Sequence, residues 1–389
     1  MQIYDTGQKT YLKVVESKNI KIYVCGITPY DSAHLGHIFT FMTYDLLQRR
    51  LEDSGHEVRI VRNITDVDEP IYAKAKELST DYISLANSEI DSFQTVLGKL
   101  NFRSIYAEPK ASEYIDPMAQ AVKKLIDLGY GYYVGKNIYF DVSKYPHYGE
   151  LSGYSQKLLL ALMAERGGDP NLANKRNKLD FLLWRSIDDP EDRAQWDTVL
   201  GRGRPGWHIE CSVMSSALLG NSFDIHGGGA DLIFPHHESE IAQGVALNNV
   251  NPAKIWMHVS PMLMAGEKMS KSLGNMVFAK DLLGKYPAGT IRLALMHYHH
   301  RIGGEWQTEL LDEANKILIT LEHASRCCKD DAMAERLLSK VRLALDDDIN
   351  TPEVIDAINE FTRTVKSTDH PSTASHNLVA KTMDLIGIN

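Results

Sequence analysis

The sequence predicts an α/β protein with a parallel sheet, helices on both faces, an inserted segment and a helical C-terminal part. Residues 20–70 alternate between short apolar runs and one long stretch of apolar residues at helical spacing. Residues 131–200 break this alternation with tyrosines, glycines and prolines, which is typical of an insertion. From residue 286 onward, apolar residues recur at helical spacing, with loops expected near 303, 330, 350 and 370.

Composition limits the classes of protein that the chain can belong to. It has 389 residues, 43% hydrophobic and 24% charged, with a formal net charge of −9. Two or three domains are expected at this length, and the acidic balance argues against extensive contacts with RNA. The start carries no secretory leader, and no apolar run is long enough to cross a membrane, so we expect a cytoplasmic protein. Four cysteines provide no disulfide framework.

The first strand is predicted to end at a loop that carries reactive groups. The apolar run Ile22-Tyr23-Val24 leads into Cys25-Gly26, and a helical pattern begins near His34 and His37. Free backbone N–H groups at a helix start favour a bound phosphate. The alternative is that the two histidines are ordinary surface or core residues.

The second predicted strand, around residues 58–61, is followed by Asn63, Ile64 and Thr65. Ligands of parallel sheets bind beyond the carboxyl ends of the strands. We therefore expect Cys25 and Thr65 to share one crevice. Residues 71–130 have a helical pattern, and the tyrosine-rich stretch around Gly131 and Gly135 predicts a small hairpin.

Residues 206–243 contain most of the remaining candidates. Trp207 opens a predicted helix through Cys211, a short strand covers residues 223–226, and the glycines at 227–229 are expected to end it. Another short strand is expected at 255–259. Four residues are candidate ligands of Zn²⁺, which accepts sulfur, nitrogen and carboxylate oxygen: Cys25, Cys211, His236 and Glu240. The alternative is two buried thiols and a helix capped by histidine.

Two further patterns suggest a nucleotide site. The glycines at 227–229 would let a nucleotide approach the backbone, and Asp231, which follows them, could bind the ribose hydroxyls. The alternative is a tight turn, because three glycines are common in turns. Lys268 and Lys271 flank Met269 and Ser270 in a polar loop, where two ammonium groups could close over a triphosphate. The alternative is a solvated basic turn.

Taken together, these motifs resemble those of class I aminoacyl-tRNA synthetases. His34-Leu-Gly-His37 is similar to the HIGH signature, and Lys268-Met-Ser-Lys-Ser272 to the KMSKS signature. Cys25-Gly26, the stretch 206–211 and Phe234-Pro-His-His237 narrow the resemblance to the cysteine-activating branch. That branch contains cysteinyl-tRNA synthetase and the mycothiol-pathway cysteine ligase, which joins cysteine to the amine of glucosaminyl-inositol using ATP.

The resemblance favours the ligase. Residues 165–170 resemble its ERGGDP motif, and Cys25-Gly-Ile-Thr-Pro-Tyr30 resembles its loop. A synthetase would also be expected to continue beyond Asn389 into an anticodon-binding domain. Glu240 instead resembles the fourth zinc ligand of the synthetase, so it either completes the metal shell or is a surface residue of its helix. The alternatives are a cysteinyl-tRNA synthetase lacking that domain and a non-catalytic regulator that binds zinc and a nucleotide.

The resemblance implies a Rossmann-like catalytic domain with halves at 1–115 and 201–285, a connective insertion at 116–200 and a helical domain at 286–389. It implies catalytic roles for His34, His37, Lys268 and Lys271, and one Zn²⁺ per chain with Mg-ATP as substrate. Substrate and adenylate contacts are implied for Cys25, Gly26, Ile27, Thr28, Thr40, Asn63, Ile64, Thr65, Trp207, Gly229, Ala230, Asp231 and Leu263. We expect a monomer that acts on small molecules rather than tRNA, with the amine acceptor near residues 150–185.

Overall fold

The computed structural model describes residues 1–14, 17–30, 32–269, 274–365 and 372–389. Its strands are β1 (Gln2–Asp5), β2 (Thr10–Lys13), β3 (Asn19–Ile27), β4 (Glu57–Ile64), β5 (Gly131–Val134), β6 (Asn137–Phe140), β7 (Phe181–Ser186), β8 (Trp196–Thr198), β9 (Gly201–Pro205), β10 (Phe223–Gly229), β11 (Ala253–Val259), β12 (Met262–Met264), β13 (Glu267–Lys268) and β14 (Gly304–Glu305).

Its helices are α1 (Leu35–Asp53), α2 (Glu69–Glu77), α3 (Tyr82–Lys99), α4 (Ile115–Asp127), α5 (Gln156–Glu165), α6 (Trp207–Leu219), α7 (Glu238–Asn248), α8 (Ala279–Leu283), α9 (Ala288–Met296), α10 (Glu309–Cys327), α11 (Asp331–Asp346), α12 (Thr351–Thr364) and α13 (Thr373–Ile386). Among the described residues, no helix is both long enough and apolar enough to cross a membrane.

The central sheet is parallel and has the strand order β11-β10-β3-β4. β3 and β10 are neighbours, with Ile22 opposite Ile225, although about two hundred residues separate them in the chain. The segment between them therefore leaves the sheet and returns to it. The predicted α/β fold class is confirmed.

Side-chain alternation along β3 decides which residues face the site. Ile22 and Val24 belong to the core on the face covered by α1, whereas Tyr23 and Cys25 belong to the core formed with α4, α6 and α7. Successive side chains of a strand point to opposite faces. Cys25 is thereby directed toward the helices that carry Cys211 and Glu240.

Two predicted strand ends are wrong. β3 continues past Cys25-Gly26 to Ile27, and the glycines at 227–229 lie within β10 rather than ending it. At Gly227 the packing of α1 against β10 leaves no room for a side chain. A Cβ on Gly227 would lie 2.4 Å from the Tyr44 ring, whose hydroxyl accepts from Gly228 N at 2.7 Å and donates to Met257 O at 2.8 Å.

The segment between the two halves of the parallel sheet forms an antiparallel sheet of its own, in the order β5-β6-β7-β9-β8. The predicted hairpin is present as β5 and β6, with Gly131 opposite Phe140. Phe140 and Phe181 stack at 4.9 Å between ring centroids in its core. β9 then leads directly into α6, which carries site residues.

The C-terminal helices pack on α1 through a buried ionic contact. Asp45 Oδ2 lies 2.5 Å from Arg292 Nη2 and 2.9 Å from Arg49 Nε, and Arg292 is fully buried. Burial alone would raise the pKa of Asp45, but the two guanidinium groups outweigh it and hold the pKa below its ordinary value. This contact fixes the C-terminal helices to the helix that begins at the site.

Candidate active site and metal centre

A cleft of about 650 Å³ opens at the carboxyl ends of β3, β4 and β10. This is where a parallel sheet binds its ligands. The cleft brings together these predicted site residues: Cys25, Gly26, Ile27, Thr28, His34, His37, Thr40, Asn63, Thr65, Trp207, Cys211, Gly229, Asp231 and His236. Ile64 and Ala230 do not line it. Neither does Leu263, whose carbonyl accepts from Trp306 N at 2.8 Å.

The start of α1 forms one wall of the cleft. His34 is the N-cap residue, and its Nδ1 accepts from Gly36 N at 3.1 Å. In the neutral ring Nε2 therefore carries the proton and can donate to a phosphate oxygen. The His37 ring stacks on His34 at 3.9 Å between centroids. Gly36 is needed for this cap, because a Cβ there would lie 2.8 Å from His34 Cε1.

Four buried donor groups lie together at one end of the cleft; Cys25, Cys211 and His236 line the cleft itself, whereas Glu240 does not. Cys25 Sγ lies 3.7 Å from Cys211 Sγ and 3.8 Å from Glu240 Oε1. His236 Nε2 lies 3.4 Å from Cys211 Sγ and 3.2 Å from Glu240 Oε1. Donors bound tetrahedrally to Zn²⁺ at 2.0–2.3 Å lie about 3.3–3.8 Å apart. The donor set and its spacing thus fit a zinc ion.

Glu240 is 1% exposed, so the alternative that it is a surface residue of its helix is wrong. Burial raises its pKa well above the ordinary value. Burial also raises the pKa of Cys25, as do the neighbouring Cys211 and Glu240. Burial lowers the pKa of His236, which keeps the imidazole in the neutral form that binds metals.

Sequence reasoning missed a group of histidines around this cluster. His226 Nε2 lies 2.8 Å from Glu240 Oε2, and His237 Nε2 lies 3.3 Å from Cys25 Sγ. With Cys25 and Glu240 they form a second, overlapping set of close donors. His208 and His258 bond in turn to His236 Nδ1 at 2.9 Å and His237 Nδ1 at 2.7 Å. Such outer contacts fix the orientation of ligating side chains.

Backbone and side-chain bonds shape the cleft beside the donor cluster. Gly26 N donates to Asn63 Oδ1 at 2.9 Å, and Asn63 Nδ2 donates to Thr65 Oγ1 at 3.0 Å. A Cβ on Gly26 would lie 1.6 Å from Asn63 O, so only glycine fits there. Trp207 stacks on His236 at 4.2 Å between centroids and covers the cluster.

Of the residues predicted to bind the nucleotide, the structure describes the glycine and the aspartate but not the two lysine side chains. Gly229 and Asp231 both line the cleft, and a Cβ on Gly229 would lie 2.5 Å from Asp231 Oδ1. Lys271 and the side chain of Lys268 lie outside the described residues. Met269 and Glu267, from the same segment, line the cleft.

Comparisons with known proteins agree with this geometry. The family described as "tRNA synthetases class I (C) catalytic domain" matches residues 11–316. The chain is 39% identical to the L-cysteine:1D-myo-inositol 2-amino-2-deoxy-alpha-D-glucopyranoside ligase of Thermobispora bispora, over 93% of this chain and 89% of the relative. It is 40% identical to the ligase of the same name from Thermobifida fusca, over 100% of this chain and 94% of the relative.

The fold is also that of a solved synthetase. Methionyl-tRNA synthetase of Mycobacterium tuberculosis, in complex with methionyl-adenylate, superposes with a TM-score of 0.65 at 15% identity, covering 95% of this chain and 90% of that one. At that identity the likeness concerns the fold alone. By the family match and the relatives at about 40% identity, the chain belongs to the L-cysteine:1D-myo-inositol 2-amino-2-deoxy-alpha-D-glucopyranoside ligase family, within the cysteine branch of the class I synthetases.

Proposed function

We propose that the protein ligates cysteine to the amine of glucosaminyl-inositol, a step of mycothiol biosynthesis, with a cysteinyl-adenylate formed from ATP as intermediate. The observation that carries the proposal is that a cluster of thiol, imidazole and carboxyl donors adjoins the cleft, with Cys25, Cys211 and His236 lining the same cleft as His34 and His37. A thiol-selective group and a phosphate-binding helix start therefore face the same space.

We assign the metal site to Cys25, Cys211 and His236, with Glu240 as the fourth ligand. When bound, zinc supplies a site that favours the thiolate of cysteine over the hydroxyl of serine, which is a weaker ligand. The geometric support is the donor spacing of 3.2–3.8 Å. We assign the binding of the amine and carboxylate groups of the substrate cysteine to Gly26, Thr28, Thr65 and Trp207, which line the cleft.

In the first step a carboxylate oxygen of cysteine attacks the α-phosphorus of ATP, and pyrophosphate leaves. His34 Nε2, His37 and the first N–H groups of α1 stabilise the charge that grows on the phosphate oxygens. Lys268 and Lys271 hold the β- and γ-phosphates together with Mg²⁺. Thr40, Asn63, Gly229 and Asp231 are assigned to the adenylate, with the backbone of Ile27, all of which line the cleft. Ile64, Ala230 and Leu263 do not line it and are each next in sequence to a residue that does.

In the second step the acceptor amine attacks the carbonyl carbon of the adenylate, and AMP leaves.

We place the reaction in the cytoplasm and assign it to a monomer with one zinc ion. The four cysteines are all free thiols in the structure, and free thiols persist in a reducing compartment.

Cysteine-dependent exchange of pyrophosphate into ATP tests the first step, and parallel addition of glucosaminyl-inositol and cysteine tRNA tests the second. We expect cysteine-dependent exchange and AMP release with an amide product from the amino sugar alone. Charging of tRNA alone would replace this proposal with the synthetase alternative. Exchange that is absent, or does not depend on cysteine, would favour the non-catalytic regulator.

A further inference from the structure

A second cavity of about 730 Å³ lies next to the cleft. Trp207, Asp231 and Leu232 line both spaces, so the two adjoin. The second cavity combines aromatic rings with carboxylate, amide and guanidinium groups, a lining that suits the ring faces and hydroxyls of a sugar. These groups are Tyr139, Phe181, Trp207, Asp68, Glu69, Asn137, Arg166, Arg185 and Arg204.

The segment that ends α5 connects the two spaces. Glu165 lines the cleft, whereas Arg166, the two following glycines and Asp169 line the second cavity. Arg166 Nη1 donates to Phe234 O at 2.5 Å, next to the loop that carries His236. The segment singled out as ERGGDP in the sequence thus stands between the metal cluster and the second cavity.

The carboxyl groups of the second cavity differ in their partners. Glu69 Oε1 lies 2.7 Å from Arg204 Nη2 and 3.5 Å from Arg185 Nε, so its charge is already compensated. Asp180 is buried and accepts from the Tyr132 hydroxyl and from two backbone N–H groups, at 2.5–2.9 Å. Both groups thus already have charged or hydrogen-bonding partners within the protein.

Asp68 is different. Its Oδ1 accepts from Glu69 N at 2.8 Å and caps α2, while its Oδ2 has a single contact of 3.5 Å from Thr28 Oγ1. Within the described part of the chain, no cationic nitrogen lies within 4.0 Å of either oxygen. Thr28 lines the cleft and Asp68 lines the second cavity. A carboxylate without a direct ion pair therefore lies where the two spaces meet.

We propose that the second cavity binds the acceptor as an amino sugar, and that Asp68 binds its ammonium group and takes a proton from it. This inference rests on the proposed function. An ammonium nitrogen has no lone pair and cannot attack a carbonyl. The ammonium gives one proton to Asp68, and the freed lone pair forms the bond to the carbonyl carbon of the adenylate. The C–O bond to AMP breaks, AMP takes that electron pair, and the remaining extra proton on nitrogen passes to solvent.

The surroundings of Asp68 support proton transfer. Burial, with a smaller effect of Glu69, raises the pKa of Asp68 to about 6, against the hydrogen bond from Glu69 N. The other charged or titratable groups that interact with it are Arg204, the buried Glu210 and Tyr72. At neutral pH the carboxyl is ionised, and it is a stronger base than an ordinary aspartate.

The test is Asp68→Asn, because asparagine keeps both the shape and the helix cap but not the charge. We expect the KM for the amino sugar in amide formation to rise at least tenfold, and by a larger factor than the KM for cysteine. Cysteine-dependent exchange, which needs no acceptor, reports that the variant is folded. Asp68→Ser, which also caps a helix, provides a second variant. Asp188→Asn, at an exposed ion pair with Lys136, is the control and should leave both constants unchanged.

A hydroxyl analogue of the acceptor, with oxygen in place of the amine, separates charge recognition from general binding. We expect the wild type to bind the amino sugar at least tenfold more tightly than this analogue, and Asp68→Asn to lose that preference. An unchanged preference, or a change confined to the KM for cysteine, would overturn the assignment of Asp68. If the wild type itself forms no amide, the proposed function fails instead, so the two failures are distinguishable.

Discussion

Replacing Cys211 with serine removes one thiolate from the donor cluster and keeps the size of the side chain. Cys211 is 1% exposed, and its Sγ lies 3.7 Å from Cys25 Sγ and 3.4 Å from His236 Nε2. A serine hydroxyl stays protonated and is a poor zinc ligand. Changes to groups that merely support a ligand cost about 10–100-fold in metal affinity. Loss of the ligand itself should therefore cost at least about 100-fold, or about 2.7 kcal/mol.

Zinc content after dialysis against a chelator, together with pyrophosphate exchange, measures this effect. We expect Cys211→Ser to retain less than stoichiometric zinc and to lose its preference for cysteine over serine. Cys328→Ser is a matched control, because Cys328 is also a buried free thiol and its Sγ, in the described part of the chain, bonds only to Asp330 O, at 3.6 Å. If Cys211→Ser keeps one zinc per chain as firmly as the control, Cys211 is not a ligand.

Three further predictions concern the phosphate groups, the strand contact and the buried ion pair. Lys271→Ala should lower the rate of pyrophosphate exchange far more than it weakens cysteine binding, and an unchanged exchange rate would contradict its role. Gly26→Ala should abolish exchange while the chain still folds. The added Cβ would lie 1.6 Å from Asn63 O, so β3 must shift where it carries Cys25. Normal activity would refute this reasoning. Asp45→Asn should lower the free energy of unfolding at pH 7 by about 3–5 kcal/mol, because it leaves the buried Arg292 charge uncompensated. The pKa of Asp45 in the folded chain is below its ordinary value of 3.8, so the ionised group stabilises the fold above pH 3.8 and this contribution is lost as the pH falls further. In urea titrations the difference in unfolding free energy between variant and wild type should therefore narrow below pH 3.8. A difference that does not depend on pH would count against the ion pair.

The arrangement of the catalytic sheet could be predicted because it depends on local patterns. Short apolar runs separated by a helical stretch imply parallel strands, and the ends of such strands imply a shared cleft. Cys25 and Thr65 do line one cleft. A helix start near His34 likewise follows from the spacing of the apolar residues, and α1 begins at Leu35.

Other features depend on packing that sequence spacing does not reveal. Three consecutive glycines usually indicate a turn, but here Tyr44 of α1 occupies the space that a side chain on Gly227 would need, and the strand continues. Glu240 is four residues from His236, a spacing that fits both a ligand and a surface residue. Only the burial of Glu240, with its carboxyl group beside Cys25 of β3 and His226 of β10, decides between them. His226 and His237 enter the cluster from different elements, so no local spacing linked them to Cys25.

The second cavity could not be predicted in detail for the same reason. It is assembled from β6, β7, β9 and the segments that precede α2 and follow α5, which are far apart in the chain. The sequence pointed to residues 150–185 through one motif, but Asp68 belongs to the end of a different segment. Its distance of 3.5 Å from Thr28 is a property of the folded chain.

The most direct test of the central claim is a reaction with cysteine labelled with ¹⁸O in both carboxylate oxygens, together with ATP and glucosaminyl-inositol. Attack of the carboxylate on the α-phosphorus followed by attack of the amine predicts one ¹⁸O in the released AMP and one in the amide product, by mass spectrometry. Amide formed with unlabelled AMP, or with ADP as the nucleotide product, would contradict the adenylate mechanism.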